Sequence, residues 1–248
     1  MSKHFELMQR MEREQSLGSA LCAAPVIPSQ RESKNGDHQR RWANDEALRL
    51  VQQIFLLQTQ EPPRVVVFAG IDHGSGCSQI CASVAETLAK DARRPVCLVE
   101  ANFRTPALPE MFGTTNHHGL TDALLQEGPI SSFAKPVNAD NLWLLSSGAL
   151  AADSQNLLTS ERLRERLKEL RVEFEFVIID APPLTRYSDA IVLGQLSDGL
   201  VLVLEADSTR REAASAVAAS LRSGKVPILG AVLNKRTFPI PERIYNKL

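Results

Sequence analysis

A glycine-rich stretch between an apolar segment and a helical segment is the first place where this sequence can do chemistry. The residues FAGIDHGSGCSQI, 68–80, contain Gly70, Gly74 and Gly76, followed by Ser78. Glycines in such a turn let backbone N–H groups surround an anion, and the start of the next helix adds partial positive charge. A serine hydroxyl in this place suits Mg²⁺. The stretch therefore predicts a phosphate-binding loop.

The loop lacks the lysine that reaches the β- and γ-phosphates in a working loop of this kind. Cys77 stands directly before Ser78, and no lysine occurs between Lys34 and Lys90. Within the loop only His73 is basic, and its ordinary pKa of ~6.5 leaves it mostly neutral at pH 7. Losing one charge-assisted contact costs about 1.5–3 kcal/mol of binding. We expect weak nucleotide binding at most, and a purely structural glycine turn is the alternative.

A carboxylate follows a second apolar segment. The run FVIIDAPP presents Asp180 at the end of four apolar residues, as strands do when an aspartate meets Mg²⁺ or its water shell. An aspartate after an apolar strand is common by itself. It indicates a nucleotide site much more specifically when it follows a glycine loop in the same sheet. Ser78 and Asp180 are therefore the predicted magnesium ligands if a nucleotide binds.

The four cysteines are Cys22, Cys77, Cys81 and Cys97, and they form no CxxC pair. Cys77 and Cys81 lie one helical turn apart and can share a face. We interpret them as small buried hydrophobic residues, and a redox or metal-binding pair is the alternative.

Composition excludes several classes of function. The 248 residues carry a net charge of −1, so no bulk positive field is available to attract nucleic acid. No apolar run approaches the ~20 residues that span a bilayer, and the first residues lack the apolar core of a signal peptide. We expect a soluble, cytoplasmic protein.

Apolar segments alternate with helical patterns from residue 44 onward, which predicts a parallel sheet buried on both faces. Residues 1–43 are polar and predict a flexible arm, with a short helix over 3–15; 44–236 form the domain and 237–248 a tail. Predicted strands cover 64–69, 95–100, 141–147, 174–180, 199–206 and 228–234, and predicted helices follow residue 44 and cover 77–91, 106–112, 119–127, 160–173, 188–196 and 209–223.

The order of these segments resembles the bacterial tyrosine kinases (BY-kinases), a MinD/ParA-like branch of the P-loop NTPases. The resemblance is carried by EALRLVQQI, the glycine loop, CLVEANFRTPALPEMFG, GLTDALLQEG, SERLRERLKEL, FVIIDAPPLTRYSDA, DGLVLVLEADSTRRE and ILGAVLNKR. It implies a doubly wound, mostly parallel sheet in a three-layer α/β/α sandwich. It also implies work with polysaccharide co-polymerases in capsule and exopolysaccharide assembly.

The resemblance also assigns roles, and the sequence departs from several of them. The Walker A lysine falls on Cys77, and the motif D-x-D-x-R becomes Glu100, Asn102 and Arg104, while Asp180 keeps the Walker B position. Glu100 and Asp180 are the implied catalytic carboxylates. A solvent-facing or capping role at a strand end is the alternative for Asn102. The implied nucleotide contacts are Gly74, Ser75, Gly76, Cys77, Ser78, Gln79 and Asn234.

Three further family features are incomplete. The oligomerisation motif E-x-x-R-x-x-R matches Glu46 and Arg49 but has Gln52 as its third residue. The family's C-terminal tyrosine cluster is reduced to Tyr245, the implied phosphate acceptor. Asn234 followed by lysine also resembles a guanine-binding N-K-x-D motif, but the fourth residue is Thr237. Asn234 is otherwise an ordinary turn residue.

These departures predict a pseudo-kinase of exopolysaccharide or capsule biosynthesis. It would regulate polymer assembly or chain length at the inner face of the cell membrane, held there by a membrane polysaccharide co-polymerase. Homo-oligomers, or hetero-oligomers with a related kinase, are the other expected assemblies, and Mg-ATP is a weak cofactor. The alternative is an active ATP-dependent tyrosine autokinase of the same pathway, and a positioning ATPase like ParA or MinD is a weaker third.

Overall fold

A computed structural model describes residues 26–27, 45–56, 62–137, 141–149 and 157–236. Among these residues the strands form one eight-stranded sheet of order β1-β8-β7-β2-β6-β3-β5-β4, in which only the β4–β5 pairing is antiparallel. The strands are β1 (Val26–Ile27), β2 (Val65–Gly70), β3 (Val96–Glu100), β4 (Lys135–Pro136), β5 (Leu142–Leu145), β6 (Phe176–Ala181), β7 (Gly199–Glu205) and β8 (Ile228–Asn234).

Helices connect the strands and cover both faces of the sheet. They are α1 (residues 45–51, continued by a π-helical turn at Gln52–Leu56), α2 (Cys77–Asp91), α3 (Leu108–Met111), α4 (Leu120–Leu125), α5 (Glu161–Glu173), α6 (Asp189–Gln195) and α7 (Arg211–Ser223). The predicted doubly wound α/β/α sandwich is confirmed. Among the described residues, no helix has the length and apolar character needed to cross a membrane.

The core lies in two layers because the central strands are apolar on both faces. In β2, Val65 and Val67 pack into one layer with α5, while Val66 and Phe68 pack into the other with α2. All six residues of β2 are buried. Burial on both faces explains why polar and apolar residues do not alternate along this strand. The loop that follows β2 therefore starts from a tightly packed strand.

Three parts of the fold differ from the expectations. Strand β4, Lys135–Pro136, was not predicted and pairs antiparallel with β5. Strand β5 ends at Leu145 rather than at residue 147, because Ser146 and Ser147 turn their carbonyls to accept from the first N–H groups of α4. The two residues of β1 pair with the end of β8, although no strand was predicted there. The rest of the 1–43 arm and the 237–248 tail with Tyr245 lie outside the described residues.

Candidate functional site

The glycine loop joins β2 to α2 at the carboxyl edge of the sheet, where ligands of doubly wound folds bind. Gly74 and Gly76 have φ angles of 84° and 83°, in the left-handed region that favours glycine. A Cβ at Gly76 would lie 2.3 Å from the side-chain nitrogen of Asn234, whereas a Cβ at Gly74 would meet nothing within 4 Å. Both glycines are therefore required by backbone conformation, and Gly76 also by space.

Asn234 holds the loop in place from the end of β8. Its side-chain Nδ2 donates to the backbone carbonyl of Ser75 at 2.8 Å, and the residue is only 3% exposed. The neighbouring Lys235 donates to Glu205 at 3.0 Å. This gives Asn234 a structural role in shaping the loop, and its contact with a nucleotide base stays a prediction.

A cavity of about 360 Å³ lies over the loop and brings most of the predicted site together. Its walls include the predicted loop contacts and the Walker B carboxylate, namely Gly74, Ser75, Gly76, Cys77, Ser78, Gln79 and Asp180. Asn102 and Met111 also line it, the latter unforeseen from the sequence. No lysine or arginine of the described residues is on these walls, and His73 is the one basic side chain there.

Asp180 and Glu100 form a buried carboxylate pair at the ends of neighbouring strands. They are direct partners across β6 and β3, and they are 1% and 0% exposed. Glu100 uses Oε2 to accept from the backbone N–H groups of Ala107 and Leu108, each at 2.9 Å. Within the described ranges, Oε1 of Glu100 and Oδ2 of Asp180 have no hydrogen-bond partner. Glu100 thus accepts from the N–H groups at the start of α3 and does not line the cavity.

Burial governs the protonation of both carboxyls. It raises the pKa of Glu100 to about 8, helped by the charge of Asp180 and opposed by the backbone N–H donors. It raises the pKa of Asp180 to about 6, opposed by hydrogen bonds from Ser78, Cys77 and Cys81. The charge of Asp180 disfavours ionisation of Glu100, and a cation placed beside the pair would favour ionisation of both.

The two cysteines of α2 lie against Asp180. Cys81 is fully buried, and its Sγ lies 3.7 Å from Asp180 Oδ1. Burial raises the pKa of Cys81 well above its ordinary value. For Cys77, the hydrogen bond with Cys81 lowers the pKa, but burial and the charges of Asp180 and Glu100 outweigh it and raise the pKa to about 12. Both are protonated thiols at neutral pH, which makes them poor nucleophiles.

The remaining residues of the D-x-D-x-R segment act within the protein. Asn102 is buried, so the solvent-facing alternative is wrong. Its Nδ2 donates to Thr105 Oγ1 at 3.0 Å just beyond β3, which agrees with a capping role at the strand end. Arg104 forms a salt bridge with Asp189 and lies 3.7 Å from the ring centre of Tyr187. These partners of Arg104 could not be predicted from local patterns, because Asp189 lies 85 residues away along the chain.

The predicted oligomerisation residues lie on α1 and do not line the cavity. Glu46 is buried and accepts from Arg49 at 3.0 Å, while Arg49 and Gln52 are exposed. Their contact with another subunit stays a prediction.

The residues of the site fit the magnesium ion of a magnesium nucleotide better than they fit its phosphates. Ser78 and the unpartnered oxygen of Asp180 suit a divalent cation. The phosphates would meet backbone N–H groups at the start of α2, but no lysine or arginine side chain of the part of the chain that the structure describes. The site therefore fits a cation with a weakly held anion, and it does not fit a tightly bound triphosphate.

No protein-family model matches the sequence. Among curated proteins, the tyrosine-protein kinase YwqD of Bacillus subtilis is 32% identical over 161 residues, which cover 65% of this chain and 68% of YwqD. The tyrosine-protein kinase Wzc of Salmonella typhi is 28% identical over 189 residues, 76% of this chain. These residues span 26% of Wzc.

Solved structures agree on the fold. The chimerical protein CapA2B2 superposes with a TM-score of 0.79 at 22% identity, covering 92% of this chain and 99% of that one. The kinase domain of Escherichia coli ETK gives 0.78 at 19% identity, with coverages of 90% and 95%. MinD of Pyrococcus horikoshii, solved with Mg-ADP, gives 0.60 at 20% identity, with coverages of 74% and 76%. At these identities the likeness establishes a shared MinD-like P-loop architecture.

Proposed function

The chain belongs to the bacterial tyrosine kinase family, and on that premise we propose that it is a pseudo-kinase of exopolysaccharide or capsule biosynthesis. Cys77 in the place of the phosphate-binding lysine is the observation that carries this proposal. The cavity beside it has no lysine or arginine among the described residues that could take over the role. Phosphoryl transfer depends mainly on positioned charge, so the loss weakens the transition state at least as much as binding.

The carboxylate pair supports the same reading. Glu100 accepts from the backbone N–H groups of Ala107 and Leu108 and does not line the cavity, so it is not placed beside the phosphates of a nucleotide. Asn102 adds no third carboxylate and instead bonds Thr105 within its own turn. Among the described residues, the site retains the backbone of a nucleotide loop but no lysine or arginine lines it.

A protein with this fold and no catalysis acts through its surface. We place its partner in the membrane: the cytoplasmic segments of a polysaccharide co-polymerase, which hold this domain at the inner face of the membrane. Polymer assembly or chain length would respond to that contact. The exposed side of α1, with Arg49 and Gln52, is the surface that the family resemblance indicates for assembly with a second copy or a related kinase.

A pull-down tests the partnership. The immobilised full chain should retain the cytoplasmic segments of a co-polymerase from the same gene neighbourhood, together with a related kinase if one is present. Arg49→Glu should weaken assembly with the kinase or with a second copy, because it reverses a charge on α1. Arg164→Glu, an exposed arginine on α5, is the matched control and should change nothing. No co-polymerase segment retained above background would contradict the proposed partnership.

An active tyrosine autokinase is the second candidate, and one observation favours it. Ser78 and Asp180 keep the places of the magnesium ligands, and Asp180 Oδ2 has no hydrogen-bond partner among the described residues. In that case backbone N–H groups of the loop would replace the lysine, and Tyr245 would accept the phosphate. Calorimetry with Mg·ATP separates the candidates, because micromolar binding by the unmodified chain supports the kinase and its absence supports the pseudo-kinase.

A further inference from the structure

Two thiols and a carboxylate converge beneath the glycine loop. The potential ligand atoms of Cys77, Cys81 and Asp180 all lie within 4.8 Å of one another. The cysteines stand one turn apart on α2, so both side chains face the end of β6, where Asp180 lies. This spacing is a geometric result of the helix, which brings positions i and i+4 to one face.

We propose that Cys77, Cys81 and Asp180 bind a thiophilic divalent cation of the zinc class. The distances suit such an ion with little movement. Tetrahedral zinc, with bonds of about 2.3 Å to sulfur and 2.0 Å to oxygen, holds those atoms about 3.5 Å apart. Cys81 Sγ and Asp180 Oδ1 are already 3.7 Å apart. The three side chains leave one tetrahedral position open to water or to an incoming anion.

Unpartnered oxygens supply a second, independent indication of a cation. Asp180 Oδ2 and Glu100 Oε1 are buried and accept no hydrogen bond, although buried polar atoms are nearly always satisfied. Neither carboxylate forms a salt bridge among the described residues. A divalent ion bound by both oxygens of Asp180 would give Oδ2 a partner, and it would place positive charge beside Glu100 on the neighbouring strand.

The chemistry of the ligands separates this site from the family's magnesium site. Thiolates favour zinc, cadmium or cobalt, whereas Mg²⁺ prefers oxygen ligands such as Ser78. Both ions would need Asp180, so zinc and magnesium nucleotide should exclude each other. Zinc binding does not depend on the proposed partnership with a co-polymerase, because it concerns only the half-buried Cys77 and the buried Cys81 and Asp180 at the glycine loop.

Cobalt provides the direct test, because a tetrahedral cobalt–thiolate site absorbs intensely in the visible and gives sulfur-to-metal charge transfer in the near ultraviolet. The full chain is prepared as Cys22→Ala, which removes the cysteine outside the described residues, and is stripped with a chelator. Titration with Co²⁺ should saturate at one equivalent with both spectral features. Zn²⁺ should then displace Co²⁺ and remove the absorption.

Single substitutions locate the ion. Cys77→Ser, Cys81→Ser and Asp180→Asn should each weaken Co²⁺ binding by more than the ~10–100-fold typical of losing an outer-shell partner. Cys97→Ala is the matched control, because that thiol is buried in β3 and does not belong to the cluster of Cys77, Cys81 and Asp180. The Cys97→Ala variant should bind Co²⁺ with unchanged affinity. Unchanged affinity in both Cys77→Ser and Cys81→Ser would overturn the proposal.

X-ray absorption on the unsubstituted chain keeps the test independent of whether a variant folds. Zinc bound at this site should show two sulfur neighbours at about 2.3 Å and a shell of oxygen at about 2.0 Å. A shell of oxygen and nitrogen alone, or less than a tenth of an equivalent of zinc retained after gel filtration, would refute the site.

Discussion

Replacing Cys77 by lysine returns a cation to a loop that the rest of the protein already holds in shape. Gly74 and Gly76 adopt left-handed backbone conformations, and Asn234 donates to the carbonyl of Ser75 across the sheet. Because these contacts do not involve the Cys77 side chain, the substitution should change charge without reshaping the backbone. Because the loop is already ordered, little conformational entropy is lost when a nucleotide binds.

The size of the gain follows from the kind of contact restored. A hydrogen bond between an ammonium and a phosphate contributes about 1.5–3 kcal/mol. At ~1.4 kcal/mol per factor of ten, the dissociation constant for Mg·ATP should fall by about 10–150-fold. The lysine also places positive charge beside Asp180 and Glu100, so the pKa values of both carboxyls should fall and the magnesium ligand should be ionised more fully.

Isothermal titration calorimetry of the chelator-treated chain measures the effect. Cys77→Met is the matched control, because it lengthens the side chain without adding charge, and its affinity should remain that of the unmodified chain. If Cys77→Lys folds with an unchanged circular dichroism spectrum and still gains nothing, the loop is not a preformed phosphate site. An equal gain in Cys77→Met would refute charge as the cause.

Three further predictions concern the carboxylate pair, the loop backbone and a buried arginine. Burial raises the pKa of Glu100 from 4.5 to about 8, so its protonated form stabilises the fold fully below pH 4.5 and this stabilisation is lost as pH rises through 8. The free energy of unfolding should therefore fall between pH 4.5 and 8. Glu100→Gln should make that fall smaller. Gly76→Ala should destabilise the fold more than Gly74→Ala. Both substitutions force alanine into the left-handed conformation, which costs about 1–2 kcal/mol. Only Gly76→Ala also places a Cβ 2.3 Å from the side-chain nitrogen of Asn234. Arg166→Met should cost more than about 3 kcal/mol, because the guanidinium donates to three backbone carbonyls at 2.7 Å each.

Urea denaturation followed by circular dichroism, with chelator present, measures all three. Arg164→Ala on the exposed side of α5 is the control for the buried arginine and should stay within about 0.5 kcal/mol of the unmodified chain. The account of Arg166 fails if the two arginine variants are equally stable. Equal losses in the two glycine variants would contradict the role of Asn234, and an unchanged pH slope in Glu100→Gln would contradict the burial of its charge.

Local pattern and chain order were sufficient to predict most of the elements. Helix α2 begins at Cys77 and ends at Asp91 as predicted, because a glycine precedes it and its apolar residues repeat every three or four positions. The central strands were recognisable as unbroken apolar runs. Strand β1 was not, because two residues carry no periodicity and their pairing with β8 depends on a segment far away in sequence.

The site was predicted as a set of residues rather than as a set of contacts. The i, i+4 spacing of Cys77 and Cys81 indicated a shared face, but it could not indicate that Asp180, 99 residues beyond Cys81, would lie opposite. In the same way Asn234 reaches Ser75 across 159 residues. Contacts of this kind depend on the order of strands in the sheet, which the spacing of residues in the sequence does not specify.

Phosphotyrosine on the protein itself is the most direct test of whether this chain has lost catalysis. The full chain is incubated with Mg·ATP beside an active bacterial tyrosine kinase, and both are digested and examined by mass spectrometry. The account predicts no phosphate on Tyr187 or Tyr245 under conditions in which the active kinase is heavily modified. Phosphorylated Tyr245 at a comparable level, abolished by Asp180→Asn, would contradict it.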